Sequence, residues 1–274
     1  MVTFCTALLH GSSDNWVEIH IAHAQLKVKY LSQTSVFSKG HTVPEGLKIP
    51  ELRVFYDLLS QPCRAVVLFL EMNKIPYESV LISLREGEQK NHEGLGKVNP
   101  FRTIPAIDDN GLCLCESGAI LRYLAAKYKV PDHWYPSKLE DRARVDECLD
   151  WSDSNIRAGA GGYFVNKFIG PKMFGKPEDP AKVEESKGKL DKAISSLENH
   201  FLSKGKFING DDISIADLKP FCEITQLWVA GVKPYEAGSK VDVWINNCIE
   251  KFGPAYDLAY KVNKEMIEKG VLKS

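Results

Sequence analysis

From Glu51 onward, apolar and polar positions fall into short stretches whose period switches between that of a strand and that of a helix. ELRVFY (51–56) reads as a strand, and the turn DLLSQ follows it. Pro62 then stands where a first-turn proline is tolerated and opens PCRAVVLFLEMN (62–73) as a helix. YESVLIS (77–83) alternates as a second strand. The stretch from Arg85 to Asn99 is charged and punctuated by glycine, which predicts an irregular loop or a short helix. TIPAID (103–108) and LCLC (112–115) are two short strands around the turn signal DDNG. ESGAILRYLAAKY (116–128) closes the block as a helix with Ile120, Leu121, Leu124 and Tyr128 on one face.

The resulting order, β-α-β-(α)-β-β-α, is the thioredoxin-like arrangement. KVPDHWYPSK is a proline-bounded linker, and helical patterns follow at 138–168, 178–203, 214–230, 240–251 and 254–269. The reading is therefore a small α/β domain (51–130), a linker (131–137) and an all-α domain (138–274). Residues 1–50 stand apart. WVEIHIAHAQLKVKY alternates in places like a strand, whereas SQTSVFSKGHTVPEG is polar and punctuated like a linker, so this stretch is taken as an extension outside the main fold. In the helical half, ISIAD places Ser214 and Asp217 at capping-box spacing, with Ile213 and Leu218 as a hydrophobic staple. Asp217 is thereby assigned to structure and kept out of any active site.

Composition narrows the class of function. With 44% hydrophobic and 26% charged residues and a formal charge of -1, the chain has no basic surplus for a phosphate backbone or an anionic membrane. No apolar run approaches the roughly 18 residues of a spanning helix. MVTFCTALLHGSS lacks the positive n-region of a secretory signal, and the first 50 residues contain no arginine, unlike a mitochondrial presequence. Seven cysteines (5, 63, 113, 115, 148, 222 and 248) are an odd and scattered set, which fits reduced thiols in the cytoplasm. Cys113 and Cys115 share a strand face, but no nearby His or Cys completes a metal set, and the histidines form no ligand pattern.

Four features of the α/β block bear on chemistry. S-x-x-C at Ser60–Cys63 has the frame of a C-x-x-C redox motif with the attacking sulfur replaced by a hydroxyl. Ser60 precedes a helix whose first N–H groups are free and whose N-terminus carries partial positive charge, which suits a thiolate. Ile104-Pro105 falls at a strand start, where proline cannot donate to the ladder and a cis bond would turn the Ile104 backbone toward a ligand. Glu116 and Ser117 begin another helix, where a hydroxyl and N–H groups can bind a carboxylate. REGEQK supplies charged and amide side chains from the loop. Taken one at a time, Ser60 and the Glu116–Ser117 pair read as ordinary helix caps; the order and spacing of the whole set point to a site.

VFYDLLSQPCRAV, VNPFRTIPAI, ESGAILRYLAAKYKVPDHWYP, RARVDECLDW and ISIAD together resemble a theta-class glutathione transferase over residues 51–269. The resemblance implies the cytosolic transferase architecture, a homodimer, and a detoxifying enzyme with a glutathione peroxidase side activity. It implies glutathione as co-substrate with no permanently bound cofactor, and a small hydrophobic electrophile as its partner in the reaction. Ser60 then matches the serine that hydrogen-bonds the glutathione sulfur. Thr103 and Ile104, before Pro105, match the backbone site for its cysteinyl part. Glu116 and Ser117 match the groups that hold its γ-glutamyl end. Arg157 matches an arginine that faces the glutathione and leaving-group region, and it enters by resemblance alone. Where the class often has a histidine at the glycine end, this chain has Gln89 or Lys90. The class also has a C-terminal segment over the active site, and here the chain stops soon after its last helix, which implies more open access.

The missing sulfur would then be that of glutathione, and Cys63 would be a small core-facing residue. A free thiol of pKa about 8.5 is roughly 3% ionised at pH 7, and lowering it by about two units takes about 2.7 kcal/mol. One charge-assisted hydrogen bond, at about 1.5–3 kcal/mol, with a helix N-terminus suffices. The electrophile is expected between the two domains, against early residues of the helix from Arg142 onward. Three other readings compete. A glutathione-dependent thiol oxidoreductase needs a cysteine at position 60. Maleylacetoacetate isomerisation goes with a motif nearer S-S-x-S-C-S-W-R. A non-catalytic binding or assembly module is disfavoured by the retained Ser60.

Overall fold

The computed structural model describes residues 16–21, 24–29 and 51–272. The alternating stretches become a six-stranded sheet: β1 (Trp16–Ile21), β2 (Ala24–Lys29), β3 (Leu52–Tyr56), β4 (Tyr77–Leu81), β5 (Ala106–Asp109) and β6 (Leu112–Cys115), in the order β2-β1-β4-β3-β5-β6. β3 pairs with β4 in parallel across the helix α1 (Gln61–Met72), and β3–β5 and β5–β6 are antiparallel. Strand alternation sorts the side chains to two faces. Leu52, Val54 and Tyr56 enter the large core, whereas Phe55 joins Ile82, Leu95, Val98 and Ala106 under the short helix α2 (Glu93–Val98).

One expectation changes here. Residues 1–50 were set outside the main fold, yet β1 and β2 form a hairpin that continues the sheet at the outer edge of β4, with Glu18 opposite Ser79 and His20 opposite Tyr77. The alternation in WVEIHI supplies a strand, and an open sheet edge is a template for one. The rest of that stretch lies outside the described residues.

α1 is buried on every side from Cys63 to Leu70, as an all-round apolar helix should be. It lies between the sheet with α3 (Ser117–Lys127) and the helical domain, so both domains share one core. The helical domain starts with α4 (Leu139–Ser154), which runs on through a π segment (Arg157–Gly161), α5 (Gly162–Phe164), a second π segment (Val165–Ile169) and α6 (Gly170–Phe174). The helical pattern expected for 138–168 thus extends six residues further. This run crosses α7 (Pro180–Ser196) at Gly159, where a Cβ would come within 2.6 Å of the Leu190 backbone nitrogen. Only glycine permits that approach.

α8 (Ile215–Thr225) is buried at all its positions. Its capping box is complete: Ser214 Oγ accepts from Ala216 N, and Asp217 accepts from Ser214 N at 2.8 Å. Pro220 inside α8 cannot donate to Ala216 O, and Cys148 Sγ makes a long contact with that carbonyl instead, at 3.8 Å. α9 (Lys240–Phe252) follows the expected span closely, while the helix expected over 254–269 is two, α10 (Pro254–Ala259) and α11 (Lys261–Glu268), divided at Tyr260.

Candidate active site

The register places four chain segments at one end of the sheet. Tyr56 ends β3 beside Leu81 at the end of β4, and Phe55 lies opposite Ala106 at the start of β5. Ala106 in turn lies opposite Cys115 at the end of β6. The turn carrying Ser60, the loop carrying Gln89, the Ile104-Pro105 peptide and the Glu116–Ser117 helix start therefore all leave the sheet on the same side. The Ile104-Pro105 bond is cis.

The Ser60 turn is held by Asp57. Its Oδ1 accepts from Leu59 N at 2.8 Å, its Oδ2 accepts from Leu84 N at 2.9 Å, and its carbonyl accepts from Ser60 N at 3.0 Å. The loop before the cis-proline is held by buried Asn99, whose Nδ2 donates to Thr103 O at 2.8 Å and to Thr103 Oγ1 at 3.0 Å. Neither residue was picked out from the sequence. A D or N two residues before a turn is a signal for such bonds, but it is too common to single out these two.

Ser60 occupies the N-cap position of α1, yet its hydroxyl makes no capping bond to the helix. It contacts the Cys63 thiol instead. Burial pushes that thiol up to about 12, with the Ser60 hydrogen bond pulling the other way, so Cys63 is a neutral core group and not a nucleophile. The backbone of Glu116 is in the left-handed region, with φ at 66°, and its side chain caps nothing either.

A cavity of about 420 Å³ opens at Ser60, between the two domains. Ser60, Gln61, Arg85, Gln89, Arg102 and Thr103 form its polar side, with Ile104 beside them. Phe164, Val165, Ile169, Met173, Phe174 and Met266 form an apolar wall opposite. Arg157 and Gln226 line it as well. Of the nine residues singled out, Ser60, Gln89, Thr103, Ile104 and Arg157 line this space. Lys90, Pro105, Glu116 and Ser117 do not, although the last three stand at the same end of the sheet. Gln89 and Lys90 separate here: Lys90 is exposed, whereas Gln89 faces the cavity with a buried Oε1 that has no partner among the described residues.

The wall expected from early residues of the helix after Arg142 is provided by later ones. Arg142 turns away, stacking over Tyr135 and donating to Pro136 O at 2.6 Å. The two π segments change the phase of the helix and bring Arg157, Val165 and Ile169 to the cavity.

Arg157 is held by an acid that the sequence did not reveal. Its Nη1 donates to Glu223 Oε1 at 2.6 Å and more distantly to Gln61 Oε1 at 3.4 Å. The Arg157 side chain is 47% exposed, and that of Glu223 only 4%. Burial raises the Glu223 carboxyl above its usual range, with Arg157 opposing, while Glu223 raises Arg157. One helical turn away, Lys219 Nζ donates to Asp153 Oδ1 at 2.6 Å, so α8 and the α4 run are joined by two crossed ion pairs. All six cysteines among the described residues are free.

A thioredoxin-like domain joined to an all-helical one, with an interdomain cavity opening at an N-cap serine, is the architecture of the glutathione-dependent transferases. Residues 54–126 match the family model described as glutathione S-transferase, N-terminal domain. Glutathione S-transferase theta-3 of Mus musculus is 40% identical over 193 residues, 70% of this chain and 80% of the relative. Human glutathione-S-transferase T1-1, solved in its apo form, superposes with a TM-score of 0.75 at 36% identity, covering 79% of this chain and 91% of that one. Human glutathione transferase theta-2, solved with glutathione and an unknown ligand, gives 0.75 at 33% identity over 81% and 93%. The chain belongs to the theta-class glutathione S-transferase family.

Proposed function

We propose that this glutathione transferase uses Ser60 to hold the glutathione sulfur as its thiolate. The Ser60 hydroxyl donates to the sulfur, which gives up its proton to solvent and attacks an electrophilic centre. A new sulfur–substrate bond forms while the bond to the leaving group breaks, and the leaving group departs with the electron pair. Thr103 and Ile104 meet the cysteinyl backbone, Gln89 the glycine end, and Glu116 with Ser117 the γ-glutamyl end. Arg157 faces the developing negative charge. The electrophile lies against the apolar wall of Phe164, Val165, Ile169 and Met173, so it is a small molecule with a hydrophobic body. No helix among the described residues is long and apolar enough to cross a membrane. The free thiols suit a cytosolic enzyme, which we expect to be a homodimer.

The observation that carries the assignment is the Ser60 hydroxyl, which stands at the cavity without serving α1 as a cap. The test is to titrate the ultraviolet absorbance of the thiolate in the glutathione complex, for wild type and for Ser60→Ala. Loss of one charge-assisted hydrogen bond, about 1.5–3 kcal/mol, should move the ionisation up by about one to two pH units. Conjugation at neutral pH should fall with it by roughly 3- to 25-fold, the loss of thiolate when an ionisation at about pH 6.5 rises by about one to two units. Equal ionisation in the two proteins would reduce Ser60 to a structural residue, and absence of glutathione binding in wild type would leave a relative of the same fold with another task.

A further inference from the structure

Arg64 is fully buried at the join of the two domains. Its Nη1 donates to Leu58 O at 2.8 Å, Leu59 O at 3.3 Å and Asn263 Oδ1 at 3.1 Å. Its Nη2 donates to Gln226 Oε1 at 2.6 Å and Cys222 O at 3.2 Å, and the guanidinium lies 4.8 Å from the Tyr260 ring centroid. Every one of these partners is neutral. Among the described residues no carboxylate comes within ion-pair distance of Arg64, and its Nε has no partner at all.

An arginine keeps its charge when buried, and a buried charge without a counter-ion is costly. The cost falls at a particular place. Two of the carbonyls that Arg64 grips belong to the residues just before Ser60, and its own N–H donates to Ser60 O at 3.0 Å. The nearby carboxylates are held by other donors, Asp57 by the N–H groups of Leu59 and Leu84 and Glu223 Oε1 by Arg157. Glu223 Oε2 has no partner among the described residues, and Arg64 lowers that carboxyl from beyond ion-pair distance. The field of Arg64 reaches the neighbouring thiols, pulling down both Cys63, which touches Ser60, and Cys222, against the effect of burial.

We propose that Arg64 is a positioning residue for the thiolate of bound glutathione: it fixes the Ser60 turn against the helical domain and places behind it a positive charge whose counter-charge is the thiolate itself. This rests on the assignment of Ser60 as the thiolate's hydrogen-bond donor. A purely structural clamp would need the hydrogen bonds of the guanidinium but not its lack of a counter-ion.

Asn263 makes the two roles separable. Asn263→Asp puts a carboxylate where an amide oxygen already accepts from Arg64, which neutralises the charge without removing the side chain. The thiolate of the glutathione complex is titrated in wild type, Asn263→Asp and Arg64→Lys, with a thermal midpoint for each. In Asn263→Asp the ionisation should rise by about one pH unit, a roughly threefold loss of thiolate at neutral pH from a wild-type value of about 6.5, in a protein that still folds. Arg64→Lys keeps the charge and loses the fork, so its thermal midpoint should fall while its ionisation stays nearer wild type. Should Asn263→Asp not fold, Arg64→Met against Arg64→Lys asks the same question, with Met raising the ionisation and Lys holding it. Wild-type ionisation in Asn263→Asp, or shifts that only track thermal stability, would overturn the role of Arg64 and leave that of Ser60 standing. An unlowered thiol in the wild-type complex would overturn both.

Discussion

At the scale of single residues, the chemistry of this site depends on what a hydroxyl and a thiol three positions apart are free to do. Cys63 points into the core and is kept neutral, while Ser60 looks onto the cavity. Their identities and spacing were legible in the sequence, because S-x-x-C before a proline-opened helix is a local pattern. Glu223 was not. It lies far along the chain from Arg157, and nothing local distinguishes a buried ligand of an arginine from a solvated glutamate on a helix. The pair yields a prediction with opposite signs for stability and function. The Glu223 carboxyl is raised in the folded state, so on raising the pH from its unfolded value to its higher folded value the protein loses stability, and the loss persists at neutral pH. Glu223→Gln removes that cost, and the half-exposed Arg157 can turn to water. Its thermal midpoint at neutral pH should match or exceed wild type and should vary less between about pH 4.5 and 7. Turnover should nevertheless fall roughly tenfold, since loosening a positioned side chain by about 1 Å can cost up to 10²-fold. A thermal midpoint that drops sharply would mean that the ion pair outweighs the burial of the acid.

At the scale of elements, the start of α8 shows a signal that could be read without any structure. A capping box with a staple is written within a few consecutive residues, and both of its hydrogen bonds are present. Tertiary contacts add to it: Asp217 Oδ1 also accepts from Ile208 N at 2.9 Å and from Trp244 Nε1 at 2.8 Å. Asp217→Asn would turn an amide N–H₂ toward at least one of these donors. The expected loss is about 2–4 kcal/mol in denaturant unfolding, followed by tryptophan fluorescence, with unchanged turnover per folded molecule. A fall in turnover without a fall in stability would place Asp217 in the site after all. The π segments are the contrasting case. Their extra residue per turn follows from packing across Gly159 and α7, not from any period in the sequence, and so the apolar wall was expected too early in the helix.

At the scale of the whole molecule, the two domains are distinct in pattern but continuous in core. α1 belongs to the α/β domain by sequence order, yet it packs on α8 and α10 as well as on α3. Heating should therefore give one transition, with calorimetric and van't Hoff enthalpies in agreement; two resolved transitions would show that the shared core does not couple the domains. The N-terminal strands β1 and β2 join the sheet at β4, while every residue lining the cavity lies between Leu59 and Met266. A chain beginning at residue 51 should accordingly fold and retain glutathione binding within about threefold of full length, about 0.7 kcal/mol on the binding scale. Loss of binding would tie the hairpin to the site.

What the sequence by itself determined is whatever is encoded over a few neighbouring residues: the strand and helix periods, the proline-opened helix with its N-cap serine, the capping box, and the motifs that carry the family. Such features depend on backbone propensities and local hydrogen bonds, which act within a turn or two. The tertiary structure decided which of the candidates share a cavity, that Gln89 faces it while Lys90 does not, that Glu223 holds Arg157, and that Arg64 is buried with no carboxylate at ion-pair distance among the described residues. Each of these depends on burial and on partners distant in sequence, and an isolated segment has neither until the chain has packed.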